Sequence, residues 1–405
     1  MMTTNPDTIL PPQTDAGAIG WVKTNLMNSW YNALFTVVML VVGILFLQMA
    51  IGWAVFSADW SAVTSNLKLF AVGQYPQEEL WRVGVVLFML SSLLGVTWGV
   101  WGGVARTFAL VAIGGAVAMV ILPLSMDDLS IEGRLWIGAN AGFIAAGYYL
   151  VQTIGGAITP KRVIWAWLSS FFIAMVLIRG FQGLPLLPLV GTNQWGGLLL
   201  TFNLALVGIV ACFPLGVLLA LGRRSNLPVI SLFSIMFIEL VRGVPLITLL
   251  FMTQVILPLL LPESIQVDRV LRAFLAITLF SAAYMAENVR GGLQAVSNSQ
   301  VEAAKALGLS GRHTMVFIVL PQALKAVIPA IVGQFIALFK DTTLVVVVGL
   351  LDIVGIGKSI VLGNVEWVST QREVYLFIAA TFWVFTYSMS YASRKLENAL
   401  GVKRH

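Results

Sequence analysis

Long apolar runs with almost no charge constrain this sequence more than any other feature. Runs close to or beyond the roughly 18–20 apolar residues that a helix needs to cross a bilayer recur along the chain, at 34–55, 83–98, 107–124, 196–221 and 373–393. Hydrophobic residues make up 59% of the 405 residues and charged residues 10%, whereas about 25% of the residues of a soluble protein are charged. The sequence therefore predicts an all-α polytopic membrane protein.

Counting these runs predicts about ten transmembrane helices. The seventh is long for one span, and we expect Pro245 to kink or break it, because proline removes a backbone donor and clashes with the preceding turn. Residues 1–32 lack the short apolar core of a cleavable signal peptide and are expected to form an N-terminal tail. The predicted spans lie near 33–56, 81–100, 107–124, 135–157, 163–179, 196–221, 228–261, 270–289, 323–350 and 373–394.

The distribution of charge orients this bundle. Ten spans leave both termini on one side, and the loops on that side carry more Lys and Arg than acids, whereas acids outnumber bases on the other side. By the positive-inside rule, the termini are expected in the cytoplasm. The net charge of +6 is therefore interpreted as a signal of topology in a lipid bilayer, and not as a nucleic-acid-binding surface.

Few residues could ligate a metal or act as a nucleophile with its base. Cys212 is the only cysteine, and His313 and His405 are the only histidines, which excludes an intrachain disulfide and leaves no zinc site. We expect no metal and no enzymatic activity in this chain. Tryptophans near the predicted span ends fit an interfacial aromatic belt: Trp53, Trp60, Trp81, Trp165, Trp195 and Trp367.

One polar passage interrupts the apolar runs, SQVEAAKALGLSGRHTMVFIVLP at 299–321. Ser299 and Glu302 form a capping-box pattern, which predicts a helix over about 300–307, and Gly308 is a natural stop for it. Such a helix is shorter than the roughly 12–15 residues at which an isolated helix becomes marginal in water. It must therefore dock, either on the protein's own bundle or on a partner.

The pattern of this passage resembles the EAA loop of ABC importer permeases. It reads Glu302-Ala303-Ala304, three residues, Gly308, nine residues, and then IVLP at 318–321. Further segments are similar to the polar amino-acid (histidine/glutamine) permease group, namely RGVPL at 242–246, AYMAENVRGG at 283–292 and KDTTL at 340–344. Shorter matches resemble the extended M-type subunit of general L-amino-acid importers, namely GQYP at 73–76, ELWRV at 79–83 and WGGLLLT at 195–201.

The resemblance implies a permease subunit of an ATP-driven amino-acid importer. Residues 1–32 would be a cytoplasmic tail, 33–180 an accessory transmembrane region, and 195–400 a five-helix type I permease core. The implied partners are a separate ATPase subunit that binds Mg-ATP, a second permease subunit in a heterodimer, and a periplasmic amino-acid-binding protein, at a bacterial inner membrane. The residues implied to couple transport to the ATPase are Glu302, Ala303, Ala304, Gly308, Leu320 and Pro321.

Two other interpretations of the chain are a secondary transporter and an intramembrane hydrolase. A secondary transporter would also have about ten spans and broken helices, but it would need no docking loop of this pattern. A hydrolase would need a nucleophile and a base within the membrane, and no histidine lies in a predicted span.

A five-residue motif that occurs twice, called the echo below, places charge at the predicted cytoplasmic ends of two spans. Residues 239–243 and 287–291 both read Glu-x-Val-Arg-Gly. Acid and base three residues apart on a helix lie on one face and can pair. The echo allows two independent pairs, Glu239 with Arg242 and Glu287 with Arg290, or one cluster of all four charges that stabilises the inward-closed state.

A second charged feature lies inside a span. The apolar run 326–354 would be about 43 Å long as one helix, against a hydrocarbon layer of about 30 Å. We therefore expect it to tilt steeply or to break near Lys340 and Asp341, where Thr342 and Thr343 could satisfy freed peptide groups. Charges within a membrane are usually functional. These four residues could line the substrate path or form a latch that holds the broken span.

Overall fold

The computed structural model describes residues 17–121, 131–262 and 264–401. By its packing the chain divides between Asp59 and Trp60 into two units. The first unit contains helix α1, Ala18–Asn25, which lies within the predicted tail, and helix α2, Trp30–Gly52, which continues as a π-helical turn, Trp53–Ser57. No residue of α2 is buried within the protein. A helix that is apolar on all sides and buries no residue within the protein is suited to contact with lipid.

The second unit begins with the helices of the predicted accessory region. Two short helices, α3 (Ser61–Thr64) and α4 (Leu67–Val72), precede four long ones: α5 (Leu80–Trp101), α6 (Gly103–Ile121), α7 (Ile131–Ile154) and α8 (Pro160–Arg179). Helices α5 and α7 pack most closely, because each presents a glycine to the other's backbone. A Cβ on Gly95 would overlap the carbonyl oxygen of Ile144, and a Cβ on Gly147 would overlap that of Ser92. Small residues permit such close approach of two helices.

The remaining helices contain the predicted permease core. The membrane-spanning elements are α9 (Gly197–Arg223), α10 (Pro228–Arg242) with α11 (Leu246–Phe251) and α12 (Leu257–Leu260), α13 (Arg269–Ala295), α17 (Ile328–Asp341) and α19 (Gln371–Leu400). Between them lie the shorter α14 (Asn298–Ala306), α15 (Gly311–His313), α16 (Leu320–Ala326) and α18 (Ile353–Gly363). Two stretches of this part of the chain are π-helical, Met252–Ile256 and Thr314–Val319.

The span prediction is confirmed in class and differs in number. Among the described residues, eight helices are long and apolar enough to cross a membrane, or nine if the bent pair counts as one more span. The exception is the predicted span 135–157, which forms the 24-residue helix α7 but is not among these helices. All five predicted spans of the core are present. The break expected at Pro245 is also confirmed, since α10 and the segment Leu246–Leu260 meet at 105°.

Two of the short motifs from the sequence meet at one end of the bundle. The backbone of Gly73 lies so close to that of Gly196 that a Cβ on Gly73 would overlap it. Gly197 has a φ of +57° and donates its backbone N–H to the carbonyl of Leu351 at 2.9 Å. Trp195, beside this contact, is only 4% exposed. Its assignment to an interfacial belt is therefore wrong, because the accessory region covers it.

The α5–α7 contact gives a direct test of the fold. Replacing Gly95 by Leu should lower the melting temperature of the purified protein strongly, because the new side chain would meet the backbone of α7. Overpacking typically costs about 1–3 kcal/mol, and a clash with backbone more. The matched control is Gly114→Leu in α6, where a Cβ meets nothing within 4 Å. Equal melting temperatures for the two variants would contradict this packing.

Candidate functional site

The polar passage forms helix α14, but it begins at a different residue from the predicted one. Ser297 is the N-cap, and its hydroxyl accepts a hydrogen bond from the backbone N–H of Ser299 at 3.3 Å. The hydroxyl of Ser299 contacts that of Ser297 at 2.8 Å. The predicted capping box of Ser299 and Glu302 is therefore wrong. Because Glu302 does not cap the helix, its exposed carboxylate is available to a partner.

The end of α14 matches the prediction. Gly308 has a φ of +79°, in the left-handed region that favours glycine. The N–H of Leu309 donates to the carbonyl of Ala304 at 3.1 Å, and that of Gly308 to the carbonyl of Lys305 at 2.9 Å. These two bonds form a Schellman motif, which satisfies carbonyls at the end of the helix. A Cβ on Gly308 would meet nothing within 4 Å, so backbone conformation alone selects glycine here.

The residues of α14 divide between an outward and an inward face. Glu302 and Ala303 are exposed, whereas Ala304 is 3% exposed and is the one buried residue of the helix. Leu307, which follows the helix directly, is 83% exposed. Sequence reasoning missed Leu307, although its signal was present as a single large apolar residue at the end of a polar helix. The outward face is therefore Glu302, Ala303 and Leu307, and Ala304 holds the helix to its own chain.

A π-helical turn and a proline connect α14 to the bundle. Helix α14 packs against Thr314–Val319, whose last bond runs from the N–H of Leu320 to the carbonyl of Met315. Pro321 follows and lacks a backbone donor. The side-chain amide of Gln322 donates to the carbonyl of Ile318 at 2.9 Å and to the side chain of Gln300 in α14 at 3.4 Å. Gln322 therefore links α14 to the start of α16.

Helix α16 in turn packs tightly on α13. The carbonyl of Ala323 lies where a Cβ of Gly292 would be, so the two backbones are in close contact. Gly292 lies five positions after Glu287 on the same helix. Contacts therefore run without interruption from α14, through α16, to the charged end of α13.

The predicted charges of the echo come together around Glu287. One oxygen of Glu287 is 2.8 Å from Nη1 of Arg223 and 3.8 Å from Nη1 of Arg242, and the other is 2.7 Å from Nη2 of Arg290. Arg223 also binds Glu239 at 3.0 Å. We call these five residues the Glu287 cluster. It joins the ends of α9, α10 and α13.

All four charges of the echo lie in the Glu287 cluster, but only one of the two predicted ion pairs is present there. Glu287 pairs with Arg290 as expected, but Glu239 binds Arg223 and not Arg242. Arg242 instead stands over the ring of Tyr284, at 5.5 Å from the ring centroid. Arg223 was missed because it lies outside the repeated motif and 64 positions before Glu287 in the chain.

The helix around Lys340 changes type where a break was expected. Helix α17 ends at Asp341 and continues as a 3₁₀-helix, Thr342–Val348. The hydroxyl of Thr342 donates to the carbonyl of Phe339 at 2.7 Å, and that of Thr343 to the carbonyl of Lys340 at 2.8 Å. The two threonines therefore stabilise the transition, as predicted. Lys340 is exposed, Asp341 is half-buried and Thr342 is buried by the rest of the protein.

The chain is similar to known transport proteins over nearly its whole length. Residues 212–401 match the family described as the binding-protein-dependent transport system inner membrane component. The inner membrane amino-acid ABC transporter permease protein YhdY of Escherichia coli is 35% identical over 404 residues, covering 96% of this chain and 94% of YhdY.

Of two further relatives, one matches nearly the whole chain and the other matches about half of it. The glutamate/glutamine/aspartate/asparagine transport system permease protein BztC of Rhodobacter capsulatus is 34% identical and covers 96% of this chain and 95% of BztC. The probable glutamine ABC transporter permease protein GlnP of Bacillus subtilis is 35% identical over 203 residues, covering 50% of this chain and 91% of GlnP. Relatives of this chain therefore include permeases of about half its length.

A double-mutant cycle tests whether the Glu287 cluster acts as a unit. Glu239→Gln and Arg290→Gln remove charges that do not contact each other. Glu239 binds Arg223, Arg290 binds Glu287, and Arg223 and Glu287 bind each other, which links the two. We expect their effects on the free energy of unfolding to be non-additive by about 0.5 kcal/mol or more, as for residues of one network. The control cycle pairs Glu239→Gln with Lys305→Gln on α14, which should be additive. Additivity in both cycles would mean that the pairs are independent.

Proposed function

The chain belongs to the family of amino-acid ABC transporter permeases, and on that basis we propose that α14 is the helix that couples its spans to a separate ATPase subunit. The chain is a multi-pass membrane subunit of an amino-acid importer, and ATP hydrolysis in such transporters belongs to a partner. The proposal concerns how the motion of that partner, which would bind Mg-ATP, enters this chain.

The outward face of α14 is the observation that supports the proposal. Leu307 is a large apolar side chain at the end of a short polar helix, and it is 83% exposed. Such a side chain is available to pack against a partner. A few residues that fill pockets on the partner carry most of the binding energy of a protein interface. The exposed Ala303 allows a groove to approach the backbone closely, and Glu302 offers a charge at its edge. The buried Ala304 keeps the helix rigidly attached to its own chain.

Motion of α14 would reach the membrane through the contacts described above. Gln300 and Gln322 link α14 to α16, and the close contact of Ala323 with Gly292 links α16 to α13. A displacement of α13 changes the position of Glu287 relative to α9 and α10. In this proposal the Glu287 cluster closes the path at the ATPase side when intact and opens it when its ion pairs exchange.

We also propose an orientation for the chain in the membrane and positions for its partners. We place both termini in the cytoplasm of a bacterium, beside the ATPase, because basic loops and α14 lie on that side. Residues 33–180 would be the accessory region, and 195–400 the core that pairs with a second, different permease subunit. A periplasmic binding protein would deliver the amino acid to the opposite face.

The substrate path is proposed to pass residues 340–343. Lys340 is not covered by other residues of the protein, and Asp341 follows it where the α-helix becomes a 3₁₀-helix. Two opposite charges next to each other would suit a zwitterionic amino acid. The alternative is a latch that holds the altered helix without contact to substrate.

Coupling is tested by Leu307→Ser and Gly308→Val. Leu307→Ser should reduce co-purification of the ATPase, because the exposed anchor is lost. Gly308→Val should leave the subunits assembled less tightly and uptake uncoupled, because valine tolerates the left-handed conformation poorly. Leu186→Ser is the control, since Leu186 is also exposed, at 76%, but lies in the loop after α8. Normal uptake with an intact complex in both variants would contradict the role of α14.

Exchange of the two charges separates a path from a latch. The double variant Lys340→Asp with Asp341→Lys keeps both charges and reverses their order. If the residues line the path, transport measured in proteoliposomes should fall at least tenfold while the complex still assembles. Transport close to that of the natural chain would assign the pair to the latch.

A further inference from the structure

A small cavity lies between the accessory region and the core, at the end of α13 that is remote from α14. Its volume is about 170 Å³, and its polar walls are Arg179 at the end of α8, Thr192, Trp195 and Asp268. Asp268 is the N-cap of α13, whose 27 residues separate it from α14 by about 40 Å at 1.5 Å per residue. If α14 contacts a cytoplasmic ATPase, as proposed above, the cavity faces the periplasmic side.

One residue of the cavity wall has a buried donor without an acceptor. Trp195 is 4% exposed, and its indole Nε1–H has no hydrogen-bond partner among the described residues. Buried polar groups are nearly always hydrogen-bonded, so an orphaned donor requires an explanation. Trp167 shows the usual arrangement, since its Nε1–H donates to the hydroxyl of Thr97 at 2.9 Å.

The charges of the cavity are unequally satisfied. One oxygen of Asp268 accepts from the backbone N–H groups of Val270 and Leu271, and the other accepts from the hydroxyl of Thr192. The guanidinium of Arg179, in contrast, has no hydrogen bond or ion pair within the described chain. The groups that lack partners are thus both donors, Arg179 and Trp195. Arg179 is exposed and Trp195 is buried, and a carboxylate is one ligand that can accept from both.

The surrounding structure holds these groups in place. The hydroxyl of Tyr75, a buried residue, donates to the carbonyl of Ile178 at 2.7 Å, immediately before Arg179. The fully buried Arg82 donates to the carbonyl of Pro188 at 2.8 Å in the loop that leads to Trp195. The backbone N–H of Val190 donates to the carbonyl of Arg179 at 2.7 Å. The cavity is therefore formed by ordered backbone on both sides.

The size and the remaining walls define the ligand. Met175, Leu271 and Phe274 supply an apolar wall. One water needs about 10–15 Å³ of such volume, so the cavity has room for on the order of ten non-hydrogen atoms. Mostly apolar walls with a few placed polar groups are typical of small-molecule sites.

We propose that this cavity binds a free aliphatic amino acid. Arg179 and the indole of Trp195 hold its carboxylate, Asp268 attracts its ammonium group, and the apolar wall takes its side chain. The cavity is then a first stop for the amino acid on the periplasmic face, built jointly by the accessory region and the core. This location, though not the binding itself, rests on the proposed function.

Ligand binding to the purified transporter complex tests the proposal, without ATP and without the binding protein. L-Leucine should bind and raise the melting temperature, whereas isopentylamine, which lacks the carboxylate, should do neither. Trp195→Phe keeps an aromatic side chain but removes the pyrrole ring with its N–H donor, and Arg179→Gln removes the charge. Each should raise the Kd for leucine about tenfold or more, the effect of one lost hydrogen bond to a charged group. Trp195→Phe without leucine should melt at a lower temperature, because the smaller ring leaves a gap at a buried site, so the Kd is the measurement that tests the lost donor.

A control variant distinguishes binding in this cavity from binding elsewhere in the chain. Trp167→Phe, which removes an indole donor outside the cavity, should leave the Kd unchanged. An unchanged Kd in Trp195→Phe, or no binding to the natural chain, overturns the proposal. Co-purification of the ATPase in the same preparations reports on the coupling role of α14 separately.

Discussion

A single carboxylate, that of Glu287, holds arginines from three helices together at one end of the core. Arg223 belongs to α9, Arg242 to α10 and Arg290 to α13. Glu287 is the least exposed member of the group, so removing its partners would leave a largely enclosed charge unpaired, which is costly. The proposal that the Glu287 cluster is a gate rests on this: its charges can exchange partners when the helix ends move.

Helix α13 links the Glu287 cluster to elements at both of its ends. Gly292 brings α16, and through it α14, against the end of α13 that carries Glu287. Its other end begins at Asp268, in the wall of the cavity between accessory region and core. The same helix thus joins the Glu287 cluster to this cavity, over about 40 Å.

Features with a local cause could be predicted from the sequence. Pro245 breaks its span because proline cannot continue a helix, and Gly308 ends α14 because it adopts a positive φ. Features set by distant residues could not. The recruitment of Arg223 to Glu287 and the burial of Trp195 both depend on how separate segments pack. Intervals of many residues in the chain carry no signal of such contacts.

The most direct measurement is the distance between the ends of α10 and α13 in the two nucleotide states of the complex. Spin labels on Leu240→Cys and Gln294→Cys, with the buried Cys212 replaced by Ala, report that distance by pulsed electron paramagnetic resonance. The account predicts that it changes when ATP binds to the partner, and that the change disappears in Gly308→Val. An unchanged distance in both states, or a change that persists in Gly308→Val, would contradict coupling through α14.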